Sequence, residues 1–386
     1  MNRLILIGNG FDLAHGMKTS YRDFILDYLK NVFKQARQNG AYEDALLKVE
    51  FNNQNSEWAN PGLNFDDWSI SNFVKYIDGP SHQMQDVFRR SVTIYRYEFI
   101  FVSKSKLIKI LLTKCDEYNW VDIENEYYII LCQFSSDNKL DKISELNEQF
   151  EYLQKLLQDY LRKIEKKFVD EDCDSFFKSY LVDKLTEIAN LPEEQIRVVG
   201  KDTSKLKPEK ILILNFNYTI TISDYLDSIK KIIPETKVIN IHGKIDDEEN
   251  PIIFGYGDEE ETNYATLEKY DECLRFIKTY RYSRTHNYQN FIDFVNSNTF
   301  EVYVVGHSCG LSDKTLLSEV FNNRNCFKVK LLTYNKKGDS IIKIESTDYI
   351  EKTYQIGRVF KEKSEMRRKL IPFSTSDLLI IRKVPL

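Results

Sequence analysis

The sequence predicts an α/β protein: a parallel-sheet domain interrupted by a large α-helical insertion. Three observations predict it. Leu4-Ile5-Leu6-Ile7 is a run of four aliphatic residues closed by Gly8-Asn9-Gly10, as expected of a strand buried on both faces and then broken. After Pro208, short aliphatic runs alternate with helical segments, the pattern of a parallel sheet covered on both sides. Between these regions the apolar period is mostly helical. The first strand has no partner nearby, so it must join the later sheet. The expected organisation is residues 1–20 plus 205–386 as the sheet domain and 21–204 as the insertion.

The elements follow in order. After Gly16, Ser20 is placed to cap a helix, with Asp23 three residues on and Phe24, Tyr28, Leu29, Val32 and Phe33 on one face. Helical periods recur at 72–77, 107–112, 123–134 and 143–168. The last carries Leu146, Phe150, Leu153, Leu157, Tyr160, Leu161 and Ile164 as a stripe. Polar interruptions at 52–61 and 170–174 read as loops. Strands are expected at 211–214, 238–241, 251–254, 302–305 and 329–333, with helices at 220–233, 266–280, 287–296 and 312–322.

The formal charge of -5 gives no overall footprint for nucleic acid or an anionic membrane, and there is no long basic tail. The six cysteines form no C-x-x-C pair or zinc spacing, and no H-E-x-x-H occurs; no metal site is expected. Scattered cysteines, no membrane-length apolar run and an opening too short for a signal-peptide core point to the cytoplasm.

Four polar clusters directly follow expected strands: Gly8 to Asp12, Asn215 to Thr219, His242-Gly243, and Gly306-His307-Ser308-Cys309-Gly310. In a parallel sheet these turns share one rim, where ligands bind. Gly8-Asn9-Gly10-Phe11 is either a tight turn or a cradle of backbone N–H groups for a phosphate. Asp12 reads as a first-turn helix residue or a ribose or water ligand, and His15 as a helix C-terminal residue. Asn217 reads as a cap for the following helix. His242, between a buried strand and a glycine, suits a base near neutral pH. Gly306 to Gly310 fits the G-x-S-x-G nucleophile elbow, but no histidine follows Ser308, so the Ser–acid–His order fails. Ser308 is then a phosphate or ribose contact beside Gly306 and His307, with Asp313 starting the next helix. Asp122 and Glu126, at helical spacing, read as a solvated face.

The stretches L-I-G-N-G-F-D-L-A-H-G, T-S-Y-R-D-F, N-W-V-D-I-E, N-F-N-Y-T, I-H-G and V-G-H-S-C-G-L-S-D resemble, in order, the AbiH family of bacterial abortive-infection proteins. The resemblance implies a role in phage defence, possible control by a phage-derived trigger and possible homo-oligomerisation. Glycines at 8, 10 and 16 are also similar in spacing to sirtuin-like proteins, whose Asn turn, H-G and G-x-S turn occur in the same order. That similarity implies a Rossmann-like domain binding NAD, with Asn217 orienting ribose or water and His242 as general base. Gly8, Gly10 and Ser308 then fall where the dinucleotide is cradled. Asp12 stands where sirtuins carry a small hydroxyl residue and Thr219 replaces an Asp, two departures from the sirtuin pattern. The zinc module is absent, which points to NAD hydrolysis rather than deacetylation. The competing expectations are a nucleotide-binding sensor without turnover and a nuclease or other hydrolase using Asp122, Glu124 and Glu126.

Overall fold

The structure is a computed structural model that describes residues 1–53, 64–75, 77, 79–80, 97–118, 122–167, 181–182, 207–257, 264–336, 342–373 and 378–379. The loop expected at 170–174, most of that at 52–61, the acidic residues 258–261 and the Asn119-Trp120 part of one motif lie outside them. The described strands are β1 (Asn2–Ile7), β2 (Ala41–Glu43), β3 (Leu47–Asn53), β4 (Gly79–Pro80) and β5 (Tyr97–Ser103). They continue with β6 (Ile211–Asn215), β7 (Thr236–Asn240), β8 (Phe300–Val305) and β9 (Cys326–Leu332).

Five of them form one parallel sheet in the order β7-β6-β1-β8-β9. The opening strand is thus its centre. Its neighbours explain its composition: Leu4 and Leu6 enter one apolar cluster with Leu212, Leu214, Val302 and Val304, while Ile5 and Ile7 enter another with Ile211, Ile213 and Val305. A strand covered on both faces needs apolar residues at every position rather than at alternate ones. The order of strands reverses between β1 and β8, which is where open parallel sheets leave a crevice beyond their carboxyl ends.

The chain divides into two compact units. The first comprises Met1–Lys18, Leu161–Thr262 and Ile277–Leu386; the second, Thr19–Tyr160 and Asn263–Phe276. The expected boundary at 204 therefore moves to 160, and the second unit takes in a short later segment. Phe276 explains that return, since its ring meets Phe150 at 5.0 Å and Tyr127 at 5.7 Å, and Asn147 donates to the Glu272 carbonyl at 2.8 Å.

The inserted unit is not helical alone. It carries a second sheet, β2-β3-β5-β4, with antiparallel pairs. In β3, Leu47, Val49 and Phe51 alternate with Lys48, Glu50 and Asn52, a period of two outweighed by the helices around it. Its long helices begin as expected: Ser20 accepts from the Asp23 N–H at the start of helix Tyr21–Asn39. Two other expectations change. Residues 251–254 form no ladder; Ile252, Ile253 and Phe254 are buried, and the Ile253 N–H donates to the His242 carbonyl at 2.8 Å. The helix expected at 266–280 is three short ones, Tyr264–Leu267, Asp271–Leu274 and Lys278–Tyr282, because the last belongs to the other unit.

Candidate active site

The turns after β1 and β8 are built against each other. A Cβ on Gly8 would lie 2.6 Å from His307 Cα, and one on Gly10 would lie 2.7 Å from the Gly306 carbonyl oxygen. Gly306 has φ +70°, and a Cβ there would meet the Phe11 nitrogen at 2.2 Å. The group that needs the glycines bare is therefore the opposite turn. Three amides of the expected phosphate cradle are also used internally. Gly8 N–H donates to Val305, Gly10 N–H to Gly306 and Phe11 N–H to Gly8, at 3.2, 2.8 and 2.8 Å. Asn9 and Ser308 are the exposed polar residues of the two turns.

The turn after β6 joins them. Asn217 does not cap the next helix, which starts at Ser223; its Nδ2 donates to the Gly8 carbonyl at 3.1 Å. Thr219 Oγ1 donates to Asp12 Oδ2 at 2.6 Å, while Asp12 Oδ1 is buried without a hydrogen-bond partner. Burial pushes the Asp12 carboxyl up to about 6, against the hydroxyls and amide around it. His15 follows the short helix Asn9–Ala14 as its C-cap; its Nδ1 meets the Phe11 carbonyl at 2.7 Å and its Nε2 the Tyr225 hydroxyl at 2.5 Å.

The turns after β7 and β8 meet at Asp313. His242 Nε2 is 3.2 Å from Asp313 Oδ1, and His307 Nε2 is 3.5 Å from Oδ2. Lys278 Nζ lies 2.7 Å from Oδ1 and donates to the Ser312 carbonyl at 3.2 Å. Phe216 sets its ring against both histidines, at 5.1 and 4.1 Å between centroids. Burial alone would raise the Asp313 carboxyl, but Lys278, His242 and His307 together hold it well below the usual range. Burial, with Lys278 second, pushes His242 down to about 4. At neutral pH the pair is thus a neutral imidazole beside a carboxylate.

The hydrogen bonds fix the tautomers. His307 Nδ1 accepts the Cys309 N–H at 2.9 Å, so its proton sits on Nε2, toward Asp313. His242 Nε2 faces the same carboxylate and carries the proton there, which leaves Nδ1 as the nitrogen able to accept one. Tyr282 OH is 3.3 Å from that Nε2. Both histidines are therefore committed to Asp313, and among the described residues neither hydrogen-bonds Ser308.

Sequence reasoning missed Lys278, Tyr282 and Phe216. Lys278 follows Phe276-Ile277 but stands between Arg275 and Arg281 at helical spacing, so a helical reading places it on a solvated face with them. In the other unit, Glu124 and Glu126 are buried rather than solvated, and Glu126 pairs with Lys114 while Asp122 caps helix Ile123–Ser136. These acids have structural partners.

The fold and the rim define an α/β protein with a cluster of polar turns at the carboxyl ends of its parallel strands. The family model for bacteriophage abortive infection AbiH matches residues 4–335, and the chain belongs to that family. No curated protein matches the chain. No helix among the described residues is long and apolar enough to cross a membrane.

Proposed function

We propose that this AbiH protein acts in phage defence by binding NAD, or a related nucleotide, at the strand-end rim and hydrolysing its nicotinamide–ribose bond. The observation that carries the reading is His242: a buried, neutral imidazole oriented by Asp313, on the rim where Asn217 bridges to Gly8. The sheet order with its reversal beside β1 supports it, as does the similarity of turn order to sirtuin-like proteins. In the step proposed, the C–N bond breaks with its electron pair leaving on nicotinamide. Water adds to the ribose carbon and gives its proton to His242 Nδ1. Asn217 orients the ribose or the water. With the Gly8, Gly10 and Phe11 amides used internally, the pyrophosphate in this reading would rest on the exposed Asn9 and Ser308, flanked by Gly306 and the helix that Asp313 begins.

A positioned base contributes about 10²–10⁴-fold, so His242→Ala and Asn217→Ala should each reduce NAD turnover by about that factor. Chromatography of nucleotides after incubation with purified protein, with and without infected-cell extract as a source of trigger, measures it. Full turnover in both variants sinks the mechanism. Intact NAD recovered under both conditions, with saturable binding, favours a sensor that holds the nucleotide unchanged. The satisfied amides of the β1 turn favour that second reading.

A further inference from the structure

The chain's charge is segregated. Residues 324–386 carry 15 Lys and Arg against 7 Asp and Glu, while the whole chain stands at -5, so the preceding residues carry -13. The fold gathers part of this surplus where three helices meet: Lys314–Phe321, Tyr349–Val359 and Lys363–Lys369. Asn322 Nδ2 donates to the Val359 carbonyl at 3.2 Å, the Lys361 N–H donates to Asn322 Oδ1 at 2.9 Å, and Lys369 Nζ donates to the Phe321 and Asn323 carbonyls. Those bonds bring Arg324, Arg358, Lys361, Arg367 and Arg368, all exposed, to one neighbourhood.

Cations at helix C-termini complement the backbone dipole, and that accounts for Lys369 and Lys363, whose ammonium groups bond terminal carbonyls. It does not call for the excess around them. Glu365 pairs with Arg368 and also reaches Lys369 at 4.0 Å, so one carboxylate is shared between two cations. Tyr354, 63% exposed and the most exposed large apolar side chain among the described residues, stands one helical turn before Arg358 on the same face. A cationic surface interleaved with an exposed aromatic ring suits a strand whose phosphates need neutralising and whose unpaired bases need a stacking platform. A lipid surface would ask for aliphatic anchors in place of the single ring.

We infer that this face binds single-stranded nucleic acid. It lies toward the start of β9, whereas the histidine site lies beyond the end of the parallel strand β8, so the two lie toward opposite ends of the strands. Its helices Tyr349–Val359 and Lys363–Lys369 also fall after the residues matched by the family model. The surface is thus separate from the site described above and independent of the reaction proposed there.

Fluorescence anisotropy of the full chain with a labelled oligonucleotide of about 20 nucleotides tests it across about 50–200 mM salt. The expected result is a log–log salt slope of about -3, each neutralised phosphate contributing about -0.7 on a single strand. Arg358→Glu/Lys361→Glu/Arg367→Glu should weaken binding at least about 10-fold and flatten the slope by about two. Tyr354→Ala should cost about 5–10-fold without changing the slope, and should cost a duplex of the same length less. His242→Ala should bind as the parent does. Thermal melting checks that each variant folds; if the triple variant does not, Lys361→Glu and Tyr354→Ala carry the same comparison. Binding that survives these substitutions overturns the inference. So does capture by phosphatidylserine vesicles where the oligonucleotide fails to bind.

Discussion

Asp313 lies between two imidazoles with only 11% of its side chain exposed, and a lone carboxylate there would take up a proton more readily than one in solvent. Lys278 at 2.7 Å prevents that. Its ammonium keeps Asp313 an acceptor, and an acceptor at 3.2 Å keeps the proton of His242 on Nε2. Remove the ammonium and the order inverts: Asp313 becomes protonated, donates to His242 Nε2, and the imidazole proton moves to Nδ1. Lys278→Met is therefore expected to switch the tautomer, read by the ¹⁵N shifts of His242, whether or not NAD is the substrate. Breaking a buried pair from one side also costs about 3–5 kcal/mol of stability, and the base lost from Nδ1 should lower any turnover by about 10²-fold or more. Lys278→Arg, which keeps the charge, should restore the tautomer at least in part. A Lys278→Met protein that retains the Nε2–H form refutes this account of Lys278.

At the scale of elements, the glycine turns carry most of what was legible in the sequence, along with one misreading. Bare backbone at 8, 10 and 306 correctly signalled close approach. The partner is the neighbouring turn, a distinction that spacing along one strand cannot make. Gly306→Ala should thus be worse than the αL penalty of roughly 1–2 kcal/mol, because its Cβ would also meet the Phe11 backbone at 2.2 Å. Gly40 supplies the comparison: φ is +80°, it ends helix Tyr21–Asn39, and a Cβ there meets nothing within 4 Å. Gly40→Ala should cost only that penalty, and urea unfolding followed in each unit separates the two cases. The convergence of Gly8, Asn217, His242 and Gly306 was readable because parallel strands put all their following turns on one rim. Lys278 was not, since the residues just before it in sequence serve the other unit. The second sheet was missed for a related reason: β5 has Phe101 buried but Ile100 and Val102 exposed, so apolar residues occupy both of its faces and blur the alternation.

The molecule as a whole carries two buried groups that pull its acid stability in opposite directions. His242 is pushed from 6.5 to about 4, so folded protein binds fewer protons than unfolded chain between those values. Its contribution is complete above 6.5 and is lost as pH falls toward 4. Asp12 is pushed from 3.8 to about 6, so there the folded protein binds more protons. Its contribution is complete below 3.8 and is lost as pH rises through 6. Each displacement corresponds to about 3 kcal/mol, and across about pH 4–6 the two slopes, each close to one proton, nearly cancel. Single substitutions should expose them. Relative to the parent protein, Asp12→Asn should lose stability as pH is lowered from 6 to 4, while His242→Gln should gain it as pH is lowered from 6.5 to 4. Denaturant midpoints measured at half-unit steps of pH, taken as differences from the parent so that carboxylates away from the substituted side chain drop out, decide the matter. Parallel curves for parent and both variants would mean that neither group is held as the buried geometry requires. A change in Asp12→Asn alone would leave the histidine's neutral state to be set by Asp313 and solvent, and the proposed base would then titrate near its ordinary 6.5.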